Sequence, residues 1–375
     1  MKEKIQETQD KYMASVIIPA YNCGNYIGRC LQSLAEQKTD LSYEVIVIDD
    51  GSTDDTEKIC ASFQDKIEHF TYLYKRNTGV SDTRNAGIER AQGKYIVLAD
   101  ADDFVADCYL EAIVGTAGTE DTEFVAAGYQ IVYERTGNVI HNGFLQKEIF
   151  RGNLLAGIHV LGSDGLLNVG FSKCYLRKIL MEHQIRFLTE LQTGEDLVFN
   201  VAYLKKIRSM AVVTELPYYY IRRDIVSGVN SYKKNLYKMT QICLDAVADL
   251  YEKQQSDGRS REILGNFYLD YIGTGIYNLY RPECHLTFRE KTKEIETYIG
   301  LDKNRLIAFS SRNDKLSKLL RYFLRLGNAK AINVSYTLLF ALRNHFRTGY
   351  ICFRNRCIFK NQKMQKINKI RGRYG

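Results

Sequence analysis

Lys94-Tyr-Ile-Val-Leu-Ala-Asp100-Ala-Asp102-Asp103 runs from an apolar stretch into three carboxylates within four positions. Residues 95–98 read as a short buried strand rich in β-forming side chains. A buried strand cannot hold bare carboxylates in its interior, so Asp100, Asp102 and Asp103 are expected beyond its carboxyl end, facing a crevice. Carboxylates this close repel one another unless a cation or a proton relieves them. The set suits a hard divalent cation with a phosphate partner. A second reading stays open here: one Asp caps the next helix and the others are solvated.

The same order recurs upstream. Residues 15–19 form a short apolar strand stopped by Pro19 and followed by the loop Ala20-Tyr21-Asn22. Residues 26–37 carry Ile27, Leu31 and Leu34 at helical spacing. A second strand, 43–48, ends at Asp49-Asp50-Gly51-Ser52, and Ser52 or Thr53 is placed to cap a helix running to about Gln64. A third strand spans 69–74 and a helix 81–91, before the strand at 94–99. Strand alternating with helix at this spacing predicts parallel strands with right-handed crossovers and a ligand site beyond their carboxyl ends. Tyr21 and Asn22, Asp49 and Asp50, and Asp100 to Asp103 all fall at that edge.

Beyond residue 107 the alternation stops. Residues 124–133 and 139–144 read as a hairpin around Thr136-Gly137-Asn138. Helices are expected at 152–161 and 171–183, and another begins at Glu195-Asp196. Strands are expected at 210–214 and 218–221. From about Tyr232 the spacing is helical, near 236–254, 259–281, 287–299, 313–326 and 329–347. The reading gives an α/β catalytic domain over 1–230, split into halves at about 14–110 and 111–230, then a helical, basic domain over 231–375, with the boundary near 228–234.

Composition bounds the rest. The 375 residues are 45 % hydrophobic and 26 % charged, ordinary for a globular protein with ample core. Trp is absent, so any stacking on a base or sugar falls to Tyr or Phe. The nine cysteines include no Cys-x-x-Cys pair, which argues against zinc. Their odd number, with no signal-peptide pattern at the start, predicts reduced thiols and a cytoplasmic setting. No apolar run approaches the roughly 20 residues of a membrane-spanning helix. The net charge of +8 is unevenly placed: residues 315–375 carry 15 Lys or Arg and no Asp or Glu, and the other 314 residues balance at −7.

Four segments in order resemble a family 2 glycosyltransferase of the GT-A fold, of the bacterial polysaccharide-biosynthesis type. They are Val16-Ile-Ile-Pro-Ala-Tyr21-Asn22, Val45-Ile-Val-Ile-Asp49-Asp50-Gly51-Ser52-Thr53-Asp54, Asn77-Thr-Gly79-Val-Ser81-Asp-Thr-Arg84-Asn85-Ala-Gly87 and Leu98-Ala-Asp100-Ala-Asp102-Asp103. Thr83 departs from the usual Ala before the Arg-Asn pair. The resemblance is dense over about 14–110 and thins to isolated motifs by about 230. It implies a mostly parallel Rossmann-like sheet and transfer from a UDP-sugar with Mn²⁺ or Mg²⁺.

It also implies roles. Pro19, Tyr21, Asn22, Asp49, Asp50, Asn77, Arg84, Asp100, Ala101, Asp102, Arg222 and Arg223 would contact the donor. Tyr21 would stack on the base, unless it is a core Tyr at a strand end. Asp50 would accept the uracil N–H, with Asp49 either sharing that role or holding the loop. Arg84 would approach base or diphosphate, unless it is a surface partner of Glu89 or an Asp. Asp100 would take the ribose hydroxyls, Asp102 the metal, and Asp103 the metal or a helix cap. Glu195-Asp196 resembles the family's acidic pair, with Asp196 as base and Glu195 second, against the alternative that both complement a helix N-terminus. Residues 168–173 would line the acceptor or sugar pocket, with Lys173 more ordinary as a surface residue. Residues 218–223, followed by Ser227, resemble the segment that closes over the diphosphate.

The basic tail has its own reading. Leu319, Leu320, Phe323 and Leu326 interleave with Arg321 and Arg325, and 350–353 and 358–359 with Arg354, Arg356 and Lys360. This fits an interfacial helix on an anionic membrane surface, a cap on the catalytic domain or a homodimer contact; nucleic acid is disfavoured for want of a motif. A lipid-linked or polymeric glycan acceptor would suit peripheral placement at the inner face of the membrane. The competing class is a nucleotide-sugar-binding subunit that scaffolds an assembly complex without turnover. A nucleotidyltransferase would show a Gly-rich loop after the first strand, where Pro-Ala-Tyr-Asn stands.

Overall fold

The computed structural model describes residues 10–163, 165–223, 231–251, 257–301 and 304–345, in two compact units, Met1–Ile225 and Val226–Gly375. In the first, β1 (Tyr12–Ala20), β2 (Tyr43–Asp49), β3 (Phe70–Tyr74) and β4 (Gly93–Leu98) run parallel in the order β3-β2-β1-β4. The order reverses at β1, so a crevice opens beyond the carboxyl ends of β1 and β4. Val16, Ile17 and Ile18 are buried because helices cover such a sheet on both faces. α1 (Ile27–Ala35) buries Ile27, Cys30, Leu31 and Leu34. α3 (Val80–Arg90) presses on β1 at Gly87, where a Cβ would lie 2.3 Å from Ile17 Cγ2.

α2 (Thr56–Ala61) is shorter than expected and starts after Asp55. Ser52 and Thr53 do not cap it because they bind the loop after β1. Asn22 N–H donates to Ser52 Oγ, and Thr53 N–H to Asn22 Oδ1, both at 2.8 Å.

The second half of this unit departs from the expectation in two places. The stretch read as one long strand divides between two sheets. β6 (Phe124–Ala126) joins the main sheet. β7 (Tyr129–Tyr133) pairs with β8 (Val139–Asn142) in a smaller sheet ordered β5-β12-β7-β8, with β5 (Phe104–Val105) and β12 (Tyr218–Arg222). The switch occurs where Ala127 N–H bonds Ser172 O and Gly128 N–H bonds Glu215 O. Second, the helix read at 171–183 is β10 (Lys173–Leu176) followed by the short α6 (Arg177–Glu182). Phe171, Cys174, Tyr175 and Ile179 carry helical spacing. Antiparallel pairing of β10 with both β4 and β6 overrides that local pattern. The main sheet, β3-β2-β1-β4-β10-β6-β11-β9, is completed by β9 (Glu148–Arg151) and β11 (Ser209–Val212). α4 (Thr116–Thr119), α5 (Leu155–Ser163) and α7 (Glu195–Leu204) are the remaining α-helices described in the unit.

The second unit is helical: α8 (Leu236–Leu250), α9 (Gly258–Asn278), α10 (Phe288–Ile299), α11 (Lys315–Arg325) and α12 (Ala329–His345). The starts of α9, α10 and α11 follow from side-chain caps at Asp257, Thr287 and Asp314. α11 buries Leu320 and Leu324 and exposes Leu316, Leu319 and Tyr322, and Leu326 is exposed just past its end. Among the described residues no helix is long and apolar enough to cross a membrane. The tail readings at 350–360, and Ser227, lie outside the described residues.

Candidate active site

The loop after β1 presents Tyr21 with 56 % of its surface exposed, as a stacking residue requires and a core Tyr would not. Asn22 follows in the left-handed region at φ 46°, which its short amide tolerates. Pro19 is half-buried within β1, and Asn77 is exposed on the loop before α3.

Asp49 and Asp50 are both buried, with every oxygen engaged. Asp49 accepts from Ser52 N at 2.8 Å and from the Tyr72 hydroxyl at 2.7 Å. Of its two expected roles, holding the loop is the one the geometry provides. Asp50 accepts from Thr78 N at 2.9 Å, Gly79 N at 2.8 Å and the Lys75 ammonium. It therefore shapes the loop of residues 75–79. Lys75 went unread in the sequence; its only signal was the basic pair Lys75-Arg76 shortly before the Arg-Asn helix.

At the end of β4 the carboxylates separate in function. Ala101 is buried. Asp103 is buried, accepting from Ile221 N at 2.7 Å and from the Tyr218 hydroxyl at 2.9 Å. Both of its oxygens are thus tied to β12. Burial, then the charges of Asp100 and Asp102, push its pKa well above the usual carboxylate range. The Asp102 side chain is 52 % exposed and meets Arg223 at 3.0 Å. Its pKa is raised by partial burial and by Asp100, against the pull of Arg223 and Arg29. Arg223 also stands 4.0 Å over the Tyr26 ring and 3.4 Å from Glu134, whereas Arg222 is exposed over Tyr133 at 5.8 Å.

A divalent cation fits this edge as one carboxylate partner. Among the described residues no three His, Cys, Asp or Glu side chains form a cage. Asp102 is open to solvent, and Mg²⁺-type sites take one or two carboxylates with the rest from phosphate and water.

Arg84 is placed differently from the expectation. Its side chain is 7 % exposed, and Glu89 pairs instead with Arg186 at 3.9 Å. Its Nη2 meets Asp100 Oδ1 at 3.0 Å, and its Nη1 meets Asp196 Oδ1 at 3.0 Å and Glu195 Oε1 at 3.3 Å. It thus ties the end of β4 to the start of α7. Glu195 and Asp196 open that helix after the left-handed Gly194. They complement its N-terminus, and Arg84 gives them a second partner. Burial pushes the Asp196 pKa up to about 7, opposed by Arg84 and reinforced by Glu195 and Asp100. A carboxylate titrating near neutrality is suited to take a proton in a reaction.

Residues 168–173 complete this wall. Lys173 is fully buried at the start of β10, not on the surface. Gly170 packs so tightly that a Cβ would lie 2.8 Å from Asp196 Oδ1.

Comparison with known proteins bears on this arrangement. Residues 15–184 match the family described as glycosyl transferase family 2. The Bacillus subtilis protein EpsH, named as a glycosyltransferase, is 27 % identical over 289 residues, covering 75 % of this chain and 81 % of EpsH. The Staphylococcus aureus poly(ribitol-phosphate) beta-N-acetylglucosaminyltransferase TarP is 25 % identical over 232 residues, 60 % of this chain and 69 % of TarP. The crystal structure of S. aureus TarS 1–349 in complex with UDP-GlcNAc superposes with a TM-score of 0.67 at 21 % identity, covering 87 % of this chain and 91 % of that one. The shared architecture is the GT-A arrangement of a mostly parallel sheet followed by a helical region.

Proposed function

Residues 15–184 are a glycosyl transferase family 2 domain, and from that premise we propose that the chain is an inverting glycosyltransferase. It moves a sugar from a UDP-sugar to a polymeric or lipid-linked glycan in bacterial cell-surface or exopolysaccharide synthesis. The carrying observation is Arg84, which draws Asp100 and Asp196 to one edge of the crevice although 96 positions separate them.

In this reading Tyr21 stacks on the uracil, beside the loop of residues 75–79 shaped by Asp50, and Asp100 meets the ribose. The acceptor hydroxyl attacks the anomeric carbon from the side opposite UDP. The bond from that carbon to the acceptor oxygen forms as its bond to the phosphate oxygen breaks. Asp196 takes the hydroxyl proton, and Arg84 holds Asp196 ionised beforehand. Mn²⁺ or Mg²⁺ on Asp102 would neutralise charge gathering on the departing diphosphate. Arg223, which pairs with Asp102, would serve the same phosphates in this reading, with the exposed Arg222 next to it in sequence.

The names of TarP and TarS support including N-acetylhexosamine donors in a screen. A panel of UDP-glucose, UDP-galactose and UDP-N-acetylglucosamine, scored by thermal shift with and without Mn²⁺, should single out the donor, because bound ligand stabilises by mass action. With that donor, Asp196→Asn should lower transfer by about 10²–10⁴-fold while donor binding stays. Full transfer by Asp196→Asn or Asp102→Ala would overturn the assignment. The competing scaffold reading is tested by the same protein, since a non-catalytic subunit would not release UDP from the donor even slowly.

We also place the basic region at an anionic membrane surface. The exposed Leu316, Leu319 and Tyr322 share a face of α11, continued by Leu326 just past its end, with Lys315 among them and Lys318 and Arg325 along one side. Each cation near such a surface contributes about 1 kcal/mol.

A further inference from the structure

Lys173 is a buried cation that the transfer chemistry above does not use. Its ammonium reaches no solvent and lies on β10 beside the carboxyl end of β4. It donates to Val169 O at 2.7 Å and Phe171 O at 3.1 Å. Between those carbonyls sits Gly170, the residue in contact with Asp196.

The same turn is held from two other sides. Asn200, one helical turn after Asp196, donates from Nδ2 to Leu167 O and Val169 O, both at 2.9 Å. Its Oδ1 accepts from the Tyr175 hydroxyl at 2.7 Å. Phe171 stacks on Tyr218 at 4.2 Å, and the Tyr218 hydroxyl accepts from Asp100 N at 3.0 Å. The turn 169–171 is thus packed between the proton acceptor on α7 and the carboxylate loop after β4, and Lys173 closes it from beneath.

We propose that Lys173 is a positioning residue for transfer: its amine locks the turn 169–171 against Asp196, and its charge favours the ionised form of that carboxylate. The inference rests on the reading of Asp196 as the base. The charged groups that act on Asp196 are Arg84 from α3, Glu195 on its own helix, Asp100 from the loop after β4 and Lys173 from β10; the Tyr175 phenol on β10 also feels Asp196 but is held neutral by burial. Two are cations, and only Lys173 can lose its charge in the working range. Burial pulls its pKa down to about 7, and Asp196 opposes that fall. Protonated Lys173 and ionised Asp196 therefore support each other, although no direct ion pair is needed for it.

The test is the pH profile of kcat/KM for UDP release in the full-length chain, using the best donor from the panel above. Lys173→Met keeps length and burial but removes charge and donors. Its acid limb should move to higher pH by at least half a unit, with the UDP affinity within about twofold of wild type. A lower rate with an unmoved limb would reduce Lys173 to a structural role and overturn the proposal, as would an unchanged profile. If Lys173→Met does not fold, lysine-selective ¹³C NMR on wild type and Asp196→Asn decides it. One lysine titrating near neutrality, and lower still in Asp196→Asn, supports the coupling; all lysines titrating near 10 overturns it. Failure of the base reading looks different: Asp196→Asn then keeps wild-type transfer whatever Lys173→Met does.

Discussion

Arg84 serves three carboxylates with one planar group, and this sets what substitution there should do. Its fork reaches Asp100, Glu195 and Asp196 at 3.0–3.3 Å. Removing one side of such a buried cluster leaves uncompensated charge, so Arg84→Met is expected to cost about 3–5 kcal/mol. The cost should grow above neutral pH, where the carboxylates are ionised, and chemical denaturation at pH 5.5 and pH 8 measures it. Asp196 works in the opposite direction. Its native pKa of about 7 lies above the unfolded value, so the native state binds its proton more tightly. The stability this contributes is full at low pH and is lost as pH rises through about 7. Asp196→Asn should therefore raise Tm at pH 8 relative to pH 5.5 while abolishing most transfer; an equal Tm change at both pH values would contradict the buried-charge account. Both residues were legible in the sequence as polar members of motifs. Their partnership was not, because 112 positions separate them and no local pattern encodes a contact at that range.

At the scale of elements, the decisive piece is the short strand β10 and the turn before it. The turn carries Gly170, whose φ lies outside the left-handed region, so alanine is allowed by its backbone. The obstacle is the Asp196 carboxylate. Gly170→Ala should displace Asp196 and lower kcat by up to about 100-fold for a shift near 1 Å, with donor affinity retained. A variant with wild-type kcat would mean that the carboxylate moves without consequence. The first four strands and their helices were readable because each follows its own period. β10 was not: Phe171, Cys174, Tyr175 and Ile179 show helical spacing, and only the pairing offered by β4 and β6 makes the segment extended.

Across the whole chain, charge divides sharply. Residues 315–375 hold 15 cations and no carboxylate, while the rest balances at −7. Within the described part of that region, α11 turns Leu320 and Leu324 inward and leaves Leu316, Leu319 and Tyr322 exposed, with Leu326 exposed just past its end. The full chain should bind anionic phospholipid vesicles at low salt and release them toward 1 M salt, where the Debye length is about 3 Å. Leu319→Glu should weaken that binding without changing UDP release. Wild-type protein that ignores such vesicles while sedimenting as a dimer would assign the stripe to a second copy.

The sequence by itself determined the parallel α/β core, the crevice edge where its polar residues gather, the acidic pair at Glu195-Asp196 and the basic helical region. These depend on local periodicity, on strand ends and on composition, all of which one chain displays. Tertiary structure alone decided what each acid touches. Asp49, Asp50 and Asp103 have their oxygens bound by protons from other loops and strands, Asp102 stays open, and Asp196 shares Arg84 with Asp100. A carboxylate's role follows from which donors reach it and how much water it keeps, and both are set by segments distant in sequence.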